Sequence, residues 1–130
     1  MNFITKDQFL KQPENIQKEF VNWWKPCVGD LIYDEMDIVA VLIPQLCIGK
    51  FKTNIDKNKH IPLFTETQLR KFIEFKICNG KLTTEYYESG YKIFILDPNF
   101  DEKILNDFDT DKTDLLEAYW QVACEISKHS

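Results

Sequence analysis

Residues 64–96 read FTETQLRKFIEFKICNGKLTTEYYESGYKIFIL, and this stretch decides the fold class. Thr65 and Gln68 have the spacing of a capping box, in which each side chain binds a main-chain N–H group at the start of a helix. The apolar residues that follow recur at helical spacing, at Leu69, Phe72 and Ile73. Asn79-Gly80 is a typical helix end. The first half of the stretch therefore predicts a helix.

The second half of the same stretch predicts a β-hairpin. Tyr86-Tyr87 and residues 91–96 are rich in aromatic and β-branched side chains, and they flank the turn pair Ser89-Gly90. We expect two antiparallel strands here. A short helix over residues 83–88 is an alternative.

An earlier part of the chain has a similar hairpin pattern. The β-rich residues 28–33 and 38–43 enclose the polar residues 34–37, which predicts a second pair of strands. Because residues 38–43 are apolar throughout, we expect this strand to be central and covered on both faces. Residues 46–53 predict a further strand.

Helical patterns also occur towards both ends of the chain. Thr5 and Gln8 form another capping box, and Pro13 suits the first position of a second helix. That helix has one apolar stripe, formed by Ile16, Phe20, Trp23 and Trp24. A last helix is predicted from about Asp111 to Lys128. Together these segments predict one globular α+β domain over residues 1–130, with three helices on a mostly antiparallel sheet of about four or five strands.

The composition is typical of a compact domain in a reducing compartment. The 130 residues are 44 % hydrophobic, which suffices for one core. The longest apolar run, residues 38–43, is far shorter than the roughly 20 residues of a membrane span, and the N-terminus lacks the pattern of a secretory signal. The four cysteines form no Cys-x-x-Cys pair, and the apolar neighbours of Cys47 and Cys124 predict that these two are buried. We therefore expect free thiols, a cytoplasmic location and no membrane partner.

The sequence lacks the motifs of known catalytic and cofactor sites. Only His60 and His129 could serve as a histidine base, and the four glycines are too scattered for a phosphate-binding loop. The acidic residues within 107–111 match the first positions of a calcium-binding EF-hand, but Lys112 and Ala118 stand where glycine and glutamate are needed. We predict no catalytic residue, metal or cofactor. A hydrolase whose carboxylates meet only in space is left open.

The net charge of −5 is concentrated in residues 97–117, which we call the acidic segment. It has eight acidic residues and two lysines, whereas residues 50–81 have eight basic and three acidic residues. Both could be ordinary solvated faces, and Asp109 or Asp111 could cap the last helix. The more specific hypothesis is a surface that binds a basic groove on a partner protein. Its residues would be Asp101, Glu102, Asp107, Phe108, Asp109 and Asp111.

Two other kinds of ligand are weighed against this surface. Direct nucleic-acid binding is not expected, because the chain has fifteen lysines but one arginine and is negative overall. The alternative function is a small-molecule-binding or sequestering domain with an aromatic pocket around Trp23, Trp24 and Trp120. Aromatic residues on amphipathic helices are, however, also typical of a core.

Three stretches of the chain resemble a family of proteins. WWKPCVGD at residues 23–30, IPLFTETQLRKFI at 61–73 and DLLEAYW at 114–120 resemble short, uncharacterised proteins of phages and prophages in low-GC Gram-positive bacteria. The resemblance implies no activity and no catalytic residues. It implies a phage accessory protein that binds a host protein, and many such proteins inhibit bacterial defence systems such as CRISPR effectors. The partner would then be a defence effector that itself binds nucleic acid.

Overall fold

The computed structural model describes residues 2–27, 29–33, 39–41, 60–99 and 103–129, and only the backbone of residues 39–41. The chain divides into two compact units, an N-terminal unit of residues 3–64 and a C-terminal unit of residues 65–130 with residues 1–2. Each unit is described by itself. The organisation of residues 1–130 as one domain stays a prediction.

The described part of the N-terminal unit has two helices and a small antiparallel sheet. Its elements are α1 (Lys6–Leu10), α2 (Glu14–Trp23), β1 (Leu31–Tyr33), β2 (Val39–Val41) and β3 (Ile61–Pro62). The capping box of Thr5 and Gln8 is confirmed at the start of α1. Pro13 is the N-cap of α2 rather than its first helical residue.

Strand β1 lies in the middle of this sheet, in the order β2-β1-β3. The predicted hairpin is confirmed, because Leu31 pairs with Val41 and Tyr33 with Val39. Among the described strands the central one is β1, because it also pairs with β3 through Ile32 and Pro62. The central position expected for residues 38–43 stays a prediction, since residues 42–59 lie outside the described residues. An apolar run cannot reveal the pairing of β1 with β3, since β3 arrives from a distant part of the sequence. The strand predicted over residues 46–53 lies outside the described residues.

Aromatic side chains form the core of the N-terminal unit. The Phe20 ring lies 6.4 Å from Phe9 and 5.7 Å from Phe64, measured between ring centroids. Trp24 is buried, and its indole Nε1 donates a hydrogen bond to Asp30 Oδ2 at 3.0 Å. The same carboxylate oxygen accepts from the main-chain N–H of Cys27 at 2.9 Å. Asp30 therefore fixes the turn that leads from α2 into β1.

The described part of the C-terminal unit has two helices and a second antiparallel sheet. Its elements are α3 (Glu66–Lys76), β4 (Lys81–Tyr87), β5 (Gly90–Asp97), β6 (Lys103–Asp109) and α4 (Leu115–Ser127). The strand order is β4-β5-β6. The hairpin of β4 and β5 is confirmed, with Tyr87 paired to Gly90 across a two-residue turn, so the alternative helix over residues 83–88 is wrong.

The core of the C-terminal unit lies between one face of its sheet and the two helices. Leu82, Ile93 and Ile95 are buried and share the inner face of the sheet through the pairs Leu82–Ile95 and Thr84–Ile93. Helix α3 packs against α4 and β4. The helices bury the apolar stripes predicted from their spacing, with Leu69, Phe72 and Ile73 on α3 and Leu116, Tyr119, Trp120, Val122 and Ala123 on α4.

The α+β class and the antiparallel pairing are confirmed, but the predicted single sheet of four or five strands with three helices is wrong. The described residues form two three-stranded sheets and four helices. The main omission is β6, whose acidic residues at 107 and 109 favoured a helix entry in the sequence. Charged side chains are compatible with a strand when it lies at the edge of a sheet and faces water, as β6 does.

We expect Thr65→Ala to lower the free energy of unfolding by about 1 kcal/mol. The Thr65 side chain accepts a hydrogen bond from Gln68 N, and the Gln68 side-chain oxygen accepts one from the N–H of Thr65. Thr67→Ala is the matched control, because Thr67 lies in the same helical turn, is exposed and is not part of the cap. Urea denaturation followed by circular dichroism measures both. Equal effects of the two substitutions would contradict a stabilising cap.

Candidate partner-binding surface

The structure places the described residues of the predicted surface on and just after β6. Asp107, Phe108 and Asp109 belong to the strand, and Asp111 follows it. Asp101 and Glu102 lie outside the described residues. The interpretation of Asp109 or Asp111 as a helix cap is wrong: the N-cap of α4 is Asp114, whose Oδ2 accepts a hydrogen bond from Glu117 N at 3.1 Å.

The pairing of β6 with β5 divides the predicted residues between the two faces of the sheet. Asp107 pairs with Phe94 and Asp109 with Lys92, whereas Phe108 pairs with the buried Ile93. Side chains alternate between faces along a strand, and paired residues share a face. The two aspartates are therefore on the outer face, and Phe108 is on the inner face and half-buried. The strand separates the aromatic group from the carboxylates that the sequence had grouped with it.

The described carboxylates of the surface are open to water, although Asp109 and Asp111 each have a lysine close by. Asp109 Oδ1 lies 3.5 Å from Lys92 Nζ, and Asp111 Oδ1 lies 3.6 Å from Lys112 Nζ. The Asp109 and Asp111 side chains nevertheless remain 78 % and 81 % exposed. Exposed ion pairs of this kind contribute little stability and exchange readily with water. These carboxylates are consequently accessible to a cationic partner.

Two apolar side chains extend the surface at the other end of β6. Ile104 is 56 % and Leu105 37 % exposed. The register shifts between Ile95 and Leu96, so that Leu105 is an extra residue in β6, which is a β-bulge. Neither Ile104 nor Leu105 was predicted from the sequence to belong to this surface. The alternation that marks a strand in KILNDFD is interrupted by this bulge, which explains why the pattern is hard to detect.

Gly90 holds the end of the surface, including Asp111, against β5. Its φ is +128°, and a Cβ atom at this position would lie 2.6 Å from Thr110 O and 2.8 Å from Lys112 N. The close approach allows Tyr91 N to donate to Lys112 O at 2.9 Å. The Thr110 hydroxyl donates to Tyr91 O at 2.6 Å. Residues 110–112 are thus fixed by main-chain contacts that only glycine permits.

The three tryptophans of the alternative ligand pocket are not all in one unit. Trp23 and Trp24 belong to the N-terminal unit, and Trp120 belongs to the C-terminal unit. Trp24 and Trp120 are buried, at 1 % and 6 % exposure, and Trp23 lies 6.0 Å from the Phe64 ring. Burial of this kind favours core packing. A small-molecule pocket stays a hypothesis.

The described histidines and cysteines differ in their exposure to solvent. His129 is exposed, with Nε2 3.6 Å from Glu125 Oε1. Cys124 is buried as predicted, and this burial raises the pKa of its thiol to about 12, which disfavours the reactive thiolate. Cys27 and Cys78 are exposed, and Cys47 lies outside the described residues. Among the side chains that the structure describes, no group of three or more His, Cys, Asp or Glu could hold a metal ion.

Two open grooves occur in the C-terminal unit. One, of about 310 Å³, lies beside β6 and is lined by Lys76, Ile77, Asn106, Phe108, Glu125, Ile126 and His129. The other, of about 360 Å³, is lined by residues that include Phe75, Lys71 and Lys81. Within the described residues, every buried side-chain nitrogen or oxygen has a hydrogen-bond partner. No buried side chain in the described residues therefore marks a ligand site by an unsatisfied polar atom.

Comparison with family models, curated proteins and solved structures gives no match for this chain. The helices among the described residues are all too short or too polar to cross a membrane.

Gly90→Ala should lower the free energy of unfolding by about 2 kcal/mol or more, because the new methyl group would collide with the main chain of residues 110–112. Ser89→Ala, at the exposed neighbouring turn position, is the control and should have little effect. Urea denaturation checks both variants. A Gly90→Ala protein as stable as the control would show that the contact with residues 110–112 can relax.

Iodoacetamide at pH 8 should modify Cys27 and Cys78 well before Cys124. The first two thiols are exposed, whereas the pKa of Cys124 near 12 leaves almost no thiolate at this pH. Peptide mapping by mass spectrometry measures each site, and denaturant should make Cys124 reactive. Rapid native labelling of Cys124 would instead indicate that α4 opens readily.

Proposed function

We propose that this chain is a non-enzymatic, phage-type accessory protein that binds a host protein and inhibits a bacterial defence system, as anti-CRISPR proteins do. The observation that supports this best is the exposed row of Asp107, Asp109 and Asp111 at the end of β6. The two aspartates of the strand lie on one face, about 6.7 Å apart along it. Their negative field is suited to a positively charged surface on the partner.

The partner that fits this charge pattern is a defence nuclease. Grooves that hold nucleic acid are lined with lysine and arginine, which contact phosphates without reading sequence. A row of exposed carboxylates presents the same sign of charge as phosphates and can occupy such a groove. The apolar side chains of Ile104 and Leu105 are exposed on the same strand. Their burial against the partner would add a hydrophobic contribution to binding. Binding in the groove would then exclude the nucleic-acid substrate.

The binding mode does not require chemistry from this chain. The exposed carboxylates make ion pairs on the surface, and the one buried thiol that the structure describes is held in its neutral form. Inhibition would result from occupancy alone. The protein is accordingly proposed to act in the bacterial cytoplasm without a cofactor.

Reversing the charge at all three aspartates of the surface should weaken partner binding at least about tenfold. The triple variant carries Asp107→Lys, Asp109→Lys and Asp111→Lys. The side chains are exposed, so the free energy of unfolding should change by about 1 kcal/mol at most. Affinity capture from a host lysate with mass spectrometry identifies the partner. Titration with the purified partner and a plasmid-cleavage assay then measure binding and inhibition for each variant.

The matched control is the triple Asp7→Lys, Glu14→Lys and Glu88→Lys, which makes the same change in net charge at exposed positions outside β6 and outside the groove beside it. It should retain binding and inhibition. Binding by the parent chain should also weaken as salt rises, because exposed charges are screened. If the partner binds both triple variants equally well, the acidic surface formed by Asp107, Asp109 and Asp111 is not the binding site.

A further inference from the structure

The pairing register shows which main-chain groups of β6 are open. Tyr87 and Gly90 flank a two-residue hairpin turn, and residues at that position exchange main-chain hydrogen bonds. Such pairs alternate along antiparallel strands. The next residues of β5 that bond to β4 are therefore Lys92 and Phe94, while Ile93 and Ile95 turn their N–H and C=O groups towards β6.

The same alternation determines the other side of β6. Ile93 bonds to Phe108 and Ile95 to Asn106, following the observed register. The hydrogen bond from Thr110 N to Tyr91 O, at 3.0 Å, continues this order. The main-chain groups of Asp107 and Asp109 are directed away from β5. In the described part of the chain, β6 has no strand on that side.

The edge of β6 that faces away from β5 lies beside the 310 Å³ groove. Phe108 and Asn106 line this groove from the inner face of β6, and Ile77 and Ile126 line it from the ends of α3 and α4. A strand added to the β6 edge would send alternate side chains to the two faces of the sheet. One set would meet Asp107 and Asp109 on the outer face, and the other would enter the groove beside Phe108.

We infer that β6 accepts an extended segment of the partner as an additional strand, with Lys or Arg alternating with apolar residues. The cationic side chains lie opposite Asp107 and Asp109, and the apolar ones fill the groove beside Phe108. Main-chain hydrogen bonds at Asp107 and Asp109 supply the register. This mode of recognition, strand addition at a sheet edge, combines main-chain affinity with side-chain specificity. The inference rests on the proposed function and specifies how the partner is held.

Charge disfavours a second copy of this chain as the occupant of the edge. Antiparallel pairing of β6 with β6 would place aspartates of the two copies opposite or diagonal to each other. Like charges directly opposite on a sheet are destabilising. A cationic segment changes the sign of this interaction and is therefore the favoured strand.

The first experiment uses a short synthetic peptide of alternating Lys and Val. Fluorescence anisotropy should detect binding that weakens at least about tenfold when alternate amides on the pairing edge are N-methylated, because methylation leaves the charges but removes the donors. A peptide with the same composition but separate Lys and Val blocks should also bind at least about tenfold less tightly. Equal binding of all three peptides would overturn strand addition.

Hydrogen exchange measures the edge directly. In the free protein the amide protons of Asp107 and Asp109 should exchange faster than those of Asn106 and Phe108, which bond to β5. The alternating peptide should slow the exchange of Asp107 and Asp109 at least about tenfold. Unchanged exchange at these two amides in the saturated complex would contradict the inference.

A pair of variants tests the native partner in the same way. Asp107→Asn and Asp107→Pro both remove the charge, but only proline removes the outward N–H, and it spares the bonds to β5. Proline should weaken partner binding at least about fivefold more than asparagine, with the exchange of Phe108 reporting an intact sheet. If the partner binds Asp107→Asn and Asp107→Pro equally well but does not bind the triple charge-reversal variant, strand addition is wrong and the proposed function is unaffected. A partner insensitive to the triple reversal would overturn the proposed function instead.

Discussion

Strand β5 holds the C-terminal unit together because it pairs along its length with both β4 and β6. Its inward side chains, Ile93 and Ile95, are buried beneath the helices. On the outer face its Lys92 and Phe94 lie opposite Asp109 and Asp107. A central strand of this kind fixes two registers at once, and a slip of one residue would move the apolar side chains to water. The positions of all acidic residues on β6 depend on this register.

Glycine at position 90 makes the arrangement at the end of β5 possible. The main chain of residues 110–112 approaches so closely that a side chain at position 90 would collide with it. The close contact carries the chain from the edge strand β6 into α4. Asp111 is therefore held next to the strand, and Asp114 is placed where its carboxylate can cap α4. One backbone position thus connects the stability of the unit with the geometry of the acidic surface.

Strand β6 has two features that commonly protect the edge of a sheet. Carboxylates and a β-bulge are common means of preventing unwanted pairing with other chains. On β6 the bulge is confined to Leu105, and residues 106–109 keep a regular register with β5. The same aspartates that repel another β6 attract a cationic strand. The charge of β6 therefore disfavours pairing with an acidic strand and favours pairing with a cationic one, rather than preventing all pairing.

The sequence alone determined the local elements for which neighbouring residues supply the signal. Both capping boxes, the apolar stripes of α2, α3 and α4, the two hairpins and the burial of Cys124 follow from spacing and turn residues close together in the chain. Among the described residues, tertiary structure decided that β1 rather than β2 is the central strand of its sheet, that the strands form two sheets instead of one, and that Asp107 and Asp109 belong to an edge strand while Phe108 faces the other way. Strand neighbours are set by contacts between distant residues, and such contacts leave no periodic trace in a single sequence.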